Sequence, residues 1–180
     1  MKLDEINQDI QESVDKSIYR EKRIVFGEGN INARIFMIGE APGGDEEKVG
    51  RPFVGKAGKN LDEFISHVQL CREKMYITNV VKIRPTNLSP KTGRVVNRAP
   101  KKDEIAFFLP FLRKEIEEVN PEIIVTLGNV PLKAVLEDQS VNIGDVHGKI
   151  LKIHNRILIP LYHPASIIYN WGLKEIYYQD

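Results

Sequence analysis

Cysteine is nearly absent: Cys71 is the one cysteine in 180 residues. That excludes an internal disulfide and any metal site built from several cysteines of one chain. Long apolar runs are also missing, since none approaches the roughly 20 residues that span a bilayer. The opening segment, MKLDEINQDIQESVDKS, is polar and acidic, which is not the pattern of a secretory leader. A cytoplasmic protein with no membrane partner is expected. Charge of one sign is not in excess: 26 Lys and Arg face 25 Asp and Glu, for a net charge of +1. The chain as a whole is therefore not a general polyanion binder. Neither repeats nor low-complexity tracts occur. The 42% apolar and 28% charged content is that of an ordinary globular protein. The length predicts one domain over residues 1–180 with a full core, acting as a monomer.

Balance in total charge hides a local imbalance. From Lys82 to Lys102 stand seven basic residues, Lys82, Arg84, Lys91, Arg94, Arg98, Lys101 and Lys102, and no acid. Such a segment is the footprint of phosphate contacts. A solvated loop that is basic without a partner is the alternative.

Glycine is concentrated as strongly. Residues 39–58, GEAPGGDEEKVGRPFVGKAG, hold six glycines and two prolines, with acids at 40, 45, 46 and 47 and one aromatic, Phe53. They follow the apolar run RIFMIG, which reads as a strand over 34–39. Glycine and proline at this density predict a long shaped loop rather than a helix or strand. A loop at the C-terminal edge of a sheet is where open α/β folds place ligands.

Apolar spacing predicts helices at 3–22, 58–70, 103–119 and about 129–137, with Pro110 inside the third as a possible kink site. Strands are predicted at 75–83, 122–127, 149–153 and 156–162, and a loop at 84–102. Strands alternating with helices argue a mainly parallel α/β sheet covered on both faces. GEAPG, the TN pair at 78–79 and YHPAS at 162–166 then meet at one sheet edge.

Each candidate residue in these motifs has two readings. Asn79, inside the apolar run ITNVV, either reads the donor–acceptor edge of a base such as uracil or ties down a loop backbone. His163, held extended by Pro164, either donates to a carbonyl where negative charge develops or caps a strand end. Phe53 either stacks on a flat ligand or plugs the core. Asp45, Glu46 and Glu47 either act on a water and a sugar cation or sit at a helix N-terminus. His67, His147 and His154 read as structural or solvent-facing.

Taken together, RIVFGEGN (23–30), GEAPG (39–43), GRPFVGKAG (50–58), ITNVVKIRP (77–85), NRAP (97–100), LG (127–128) and HPAS (163–166) resemble the uracil-DNA glycosylase superfamily, family 4 in particular. The resemblance implies a three-layer α/β/α sandwich around a short parallel sheet. It implies hydrolysis of the N-glycosidic bond of uracil in single- or double-stranded DNA, after base flipping, as the first step of base excision repair. By position, Gly39, Glu40 and Ala41 match the pocket loop, Phe53 the stacking ring, Asn79 the amide reading uracil, and His163 the histidine on uracil O2. Glu40, Glu46 and His163 are the catalytic candidates. Lys82, Arg84, Lys91, Arg94 and Arg98 are expected on phosphates, and Ile167 and Ile168 as the wedge filling the gap in the duplex. A weak or inactive DNA-binding relative, or a glycosylase for another deaminated base, are the alternatives.

Departures from the family pattern carry expectations too. Family-4 enzymes hold an iron–sulfur cluster on four cysteines. The matching positions here are Glu12, Asp15, Ile83 and Phe108, so no metal and no cofactor are expected, with Ile83 and Phe108 packing in the vacated space. In relatives that crosslink to DNA, an insertion like 86–97 carries a nucleophilic histidine where Asn97 stands, so no covalent trapping is expected. Tyr169 replaces a common arginine, and the terminal helix is expected to be short or missing.

Overall fold

The computed structural model describes residues 2–170 and 172–180, except for the side chain of Tyr169. The strands are β1 (Glu28–Gly29), β2 (Ile35–Gly39), β3 (Tyr76–Asn79), β4 (Thr86–Leu88), β5 (Val95–Asn97), β6 (Ile123–Leu127), β7 (Leu151–Ile153) and β8 (Arg156–Leu161). The helices are α1 (Leu3–Asp15), α2 (Gly44–Val49), α3 (Lys56–His67), α4 (Lys102–Val119), α5 (Asn129–Leu136), α6 (Ile143–Val146), α7 (Ser166–Tyr169) and α8 (Leu173–Gln179). Six strands form one sheet in the order β1-β3-β2-β6-β8-β7. The inner four are parallel, and β1 and β7 are antiparallel edges.

Alternation along the strands sorts the core into two layers. Phe36, Ile38, Tyr76, Ile124 and Leu158 face one way and pack with Ile6, Ile10 and Val14 of α1, Phe108 and Leu112 of α4 and Leu132 of α5. Met37, Ile77, Val125, Leu127 and Leu161 face the other way, against Leu61, Phe64 and Ile65 of α3 and Tyr177 of α8. This is the three-layer α/β/α sandwich that the resemblance implied.

The differences from expectation have local causes. α1 stops at Asp15 instead of running to 22, because the Ser17 hydroxyl bonds the Val14 carbonyl at 2.8 Å and turns the chain. Ile18, expected on the buried stripe, is 85% exposed. β3 ends at Asn79 rather than 83, level with the end of β2, where Val80 N–H bonds the carbonyl of Gly39, the last residue of β2, and Val81 N–H that of Glu40. The 84–102 loop contains the β4–β5 hairpin. The 39–58 loop contains α2, with Asp45, Glu46 and Glu47 in its first turn, where acids complement the helix dipole. α4 continues through Pro110. α8 supplies a short terminal helix of seven residues.

β2 is followed by β3 on one side and flanked by β6 on the other. The chain reverses direction across the sheet there, and the crevice at the C-terminal ends of the strands is the place for a ligand.

Candidate active site

Gly39 and Asn79 are register partners at the ends of the parallel strands β2 and β3. The rest of the site is assembled around this pair. A Cβ at position 39 would collide with Asn79 Oδ1 and lie 2.7 Å from Phe53 Cε2, so only glycine lets both side chains close over the strand end. Asn79 is 3% exposed. Its carboxamide bonds no described protein group, although buried amides normally find partners. It faces a cavity of about 590 Å³ that is also lined by Glu40, Ala41, Glu46, Phe53 and His163.

Phe53 is 5% exposed, and its ring centroid lies 5.9 Å from that of His163 at an interplanar angle of 31°. Its φ of 52° is left-handed, a conformation that costs a bulky residue of order 1–3 kcal/mol. His163 follows β8. The turn that holds it is closed by Ser166 N–H on its carbonyl at 2.8 Å. Ala165 N–H donates to His163 Nδ1 at 3.1 Å. Desolvation pushes the imidazole down to about 4, against the pull of the Glu46 charge. The ring is thus neutral at pH 7, with Nδ1 as acceptor and Nε2–H as donor.

The two carboxylates differ. Glu46 Oε2 accepts from Gly43 N–H at 3.1 Å, and its Oε1 from Val54 and Gly55 N–H at 2.9 and 2.8 Å. Both of its oxygens are committed to backbone, so Glu46 fastens the loop on either side of α2. Glu40 lines the same cavity, and burial raises its carboxyl above the usual range, with no cation opposing the shift. The site therefore joins a neutral imidazole donor, an open carboxamide, a flat ring and a desolvated carboxylate. It can hold a flat heterocycle, read its polar edge and stabilise an oxyanion on it.

Two expected DNA contacts are corrected. Lys82 is 0% exposed and cannot reach a phosphate. Its Nζ donates to Glu115 Oε2 at 2.5 Å, Thr78 Oγ1 at 2.5 Å and the Asn79 carbonyl at 2.8 Å, so its three protons are all used inside the core. A buried charge survives only with such partners. Ile167, expected in the wedge, is instead buried beside Leu161 and Tyr177, whereas Ile168 is exposed and lines the cavity. Arg84 and Arg98 stand at the rim, paired with Glu47 at 3.0 Å and Glu104 at 2.7 Å. Lys91 and Arg94 are exposed at the hairpin tip. The side chain of Tyr169 lies outside the described residues.

Sequence reasoning missed the Ala165 amide that sets the His163 tautomer, for which the His-Pro-Ala-Ser turn is the signal. It placed Asn97 only as a substitute for a nucleophile. Asn97 lines the cavity and accepts from Arg84 Nε at 2.7 Å.

The positions matching cluster ligands do not fit thiolate ligation. Ile83 and Phe108 are both fully buried in the apolar core with Ile10, Val14 and Ile24. Phe108 meets the rings of Phe107 and Tyr19 at 4.9 and 6.2 Å. Glu12 and Asp15 are exposed and bonded to Gln8 and Gln11, and Cys71 is exposed elsewhere. Among the described residues, no three His, Cys, Asp or Glu gather as a metal site. Nor is any described helix long and apolar enough to cross a membrane.

Residues 26–180 match the family model of the uracil DNA glycosylase superfamily. The type-4 uracil-DNA glycosylase of Saccharolobus solfataricus is 39% identical over 167 residues, covering 88% of this chain and 73% of that one. That of Sulfurisphaera tokodaii is 42% identical over 162 residues, covering 86% and 70%. The crystal structure of wild-type SMUG2 from Pedobacter heparinus superposes with a TM-score of 0.56 at 14% identity, covering 82% of this chain and 71% of that one, which shows a shared fold.

Proposed function

The chain belongs to the uracil DNA glycosylase superfamily, and from that we propose that it removes uracil from DNA by hydrolysing the N-glycosidic bond, as the first step of base excision repair. The observation that carries this reading is the Asn79 carboxamide, 3% exposed and without a partner among the described residues, in the lining of a cavity that Phe53 also lines. A ligand with its own donor–acceptor edge satisfies both ends of that amide at once.

The uracil base leaves the stack and enters the cavity. Phe53 stacks on it and Asn79 bonds its Watson–Crick edge. The bond between C1′ and N1 then breaks, and its electron pair leaves with the base. His163 Nε2–H bonds uracil O2 as that oxygen gains negative charge, which supports the leaving group in a dry site. Water adds to C1′ and its proton passes to Glu40, whose oxygens bond no described group while those of Glu46 are occupied. A raised pKa makes Glu40 the stronger base. Ala41 lines the cavity, and Gly39 leaves the room that Phe53 and Asn79 need to close over the strand end.

Lys91 and Arg94 on the hairpin, with Arg84 and Arg98 at the rim, hold the phosphates. Ile168 contacts the gap left by the flipped base. No step needs a metal or a cluster, and the apolar plug of Ile83 and Phe108 does that region's structural work.

Alkali cleavage of abasic sites in uracil-containing single- and double-stranded DNA tests the reading. Strand breaks at uracil are expected. Hypoxanthine- and xanthine-containing DNA belong in the same assay, because an amide can present either edge. No release of any base at enzyme excess would overturn the proposal and favour a binding-only role.

A further inference from the structure

Phe53 needs external support, because a left-handed aromatic residue does not hold itself there. Three features supply it. On one side, Val54 and Gly55 N–H are held by Glu46 Oε1 at 2.9 and 2.8 Å. Beneath, Gly58 leaves room for the Phe53 carbonyl, since a Cβ there would overlap that group and lie 3.0 Å from Phe53 Cα. On the other side is Arg72. Its Nη2 donates to the Pro52 carbonyl at 2.7 Å and its Nη1 to the Phe53 carbonyl at 3.0 Å.

The Arg72 guanidinium is itself anchored. Nη1 also bonds Asp62 Oδ1 at 2.8 Å, and Nη2 bonds Glu28 Oε1 at 3.2 Å. The same Glu28 carboxylate is held by Arg51 at 2.7 and 3.0 Å. Two acids fix the plane of the guanidinium, and its two outer nitrogens then clamp consecutive carbonyls. A lysine ammonium lacks this rigid fork and cannot reproduce it.

We infer that Arg72, which lies outside the cavity, is a positioning residue for the reaction: it locks the Pro52–Phe53 backbone so that the Phe53 ring is preset to receive the base. This rests on the proposed uracil chemistry and adds a specific device to it. A preset ring removes an ordering cost from base capture, and small misplacements of a binding group lower rates steeply.

A double-mutant cycle tests the inference, with Arg72→Ala, Phe53→Ala and the double variant compared with the unmodified protein for uracil release under single turnover. Arg72→Ala is expected to lower kcat/KM about tenfold or more, through KM and the affinity for free uracil. In the Phe53→Ala background the same change is expected to cost less than about twofold, because its target is gone. Arg72→Lys should restore little of the loss. Equal losses in both backgrounds, or full rescue by lysine, would overturn the inference. If Arg72→Ala does not fold, Arg72→Lys takes its place in the cycle: coupling to Phe53 supports the inference, and additivity or no effect overturns it. An unmodified protein that releases no uracil would instead overturn the functional reading beneath it.

Discussion

Ala165 N–H donates to His163 Nδ1 at 3.1 Å, which leaves the imidazole proton on Nε2. With burial pushing the ring down to about 4, the imidazole that lines the cavity is neutral at pH 7. Uracil release should therefore show no loss from His163 titration between pH 8 and about 5, and fall as the pH approaches 4. His163→Ala and Asn79→Ala should each lower single-turnover release by a factor of about 10² or more. Near-normal rates in both would place the reacting base elsewhere.

The same histidine makes a stability prediction. Its ordinary value is 6.5 and its folded value about 4. Between these the unfolded chain binds more protons, so stability falls as pH drops through that window and is unaffected above it. In His163→Gln, the melting temperature should depend less on pH between 6.5 and 4 than in the unmodified protein.

Glu40 has the opposite sign. Burial raises its carboxyl, so the folded chain keeps a proton longer and loses stability as pH rises through the raised value. Glu40→Gln should raise the melting temperature at neutral pH while slowing uracil release about 10²-fold. Calorimetry and the release assay read the two effects separately, and a glutamine variant of full activity would return the water to Glu46.

Lys82 and Glu115 are both 0% exposed and bonded at 2.5 Å. Burial pushes the ammonium down and the carboxyl up, and each charge opposes the shift of the other. Lys82→Met alone should cost about 3–5 kcal/mol in denaturant unfolding, because it strands a buried carboxylate. Lys82→Met with Glu115→Leu should recover most of that loss.

The hairpin tip should bind phosphates without touching the chemistry. Lys91→Ala with Arg94→Ala should weaken DNA binding and reduce the slope of log K against log salt by about 2 on duplex DNA. Anisotropy titrations at several salt concentrations measure this. An unchanged slope would take the hairpin off the DNA.

The apolar plug should make activity independent of iron. Iron and acid-labile sulfide should be absent from active protein, and chelators should leave release unchanged. Phe108→Ala should cost about 3–5 kcal/mol of stability as a buried ring is lost.

Much of this was legible in one dimension because strands and helices write their period into the sequence. RIFMIG read as a buried strand and EIIVTL as a buried parallel one, and the six glycines of 39–58 announced a shaped connection. Lys82 shows where that legibility ends. It opens a run of basic residues with no acid, and its own side chain points inward to Glu115, 33 residues away. Ile167 and Ile168 are chemically alike, and only the turn after His163 decides that one is buried and the other lines the cavity. Ile18 likewise matched its helical stripe until Ser17 ended the helix.

The sequence by itself carried the α/β class, the order in which GEAPG, Asn79 and HPAS follow their apolar runs, and the single cysteine, too few to hold a cluster on four thiolates. These follow from residue type and order, which survive any folding of the chain. Tertiary structure alone decided which carboxylate is free, which way the His163 proton points, and how Phe53 is held left-handed. Those depend on hydrogen bonds between residues far apart in the chain, such as Arg72 to Phe53, and on the burial that shifts a carboxyl or an imidazole from its ordinary pKa.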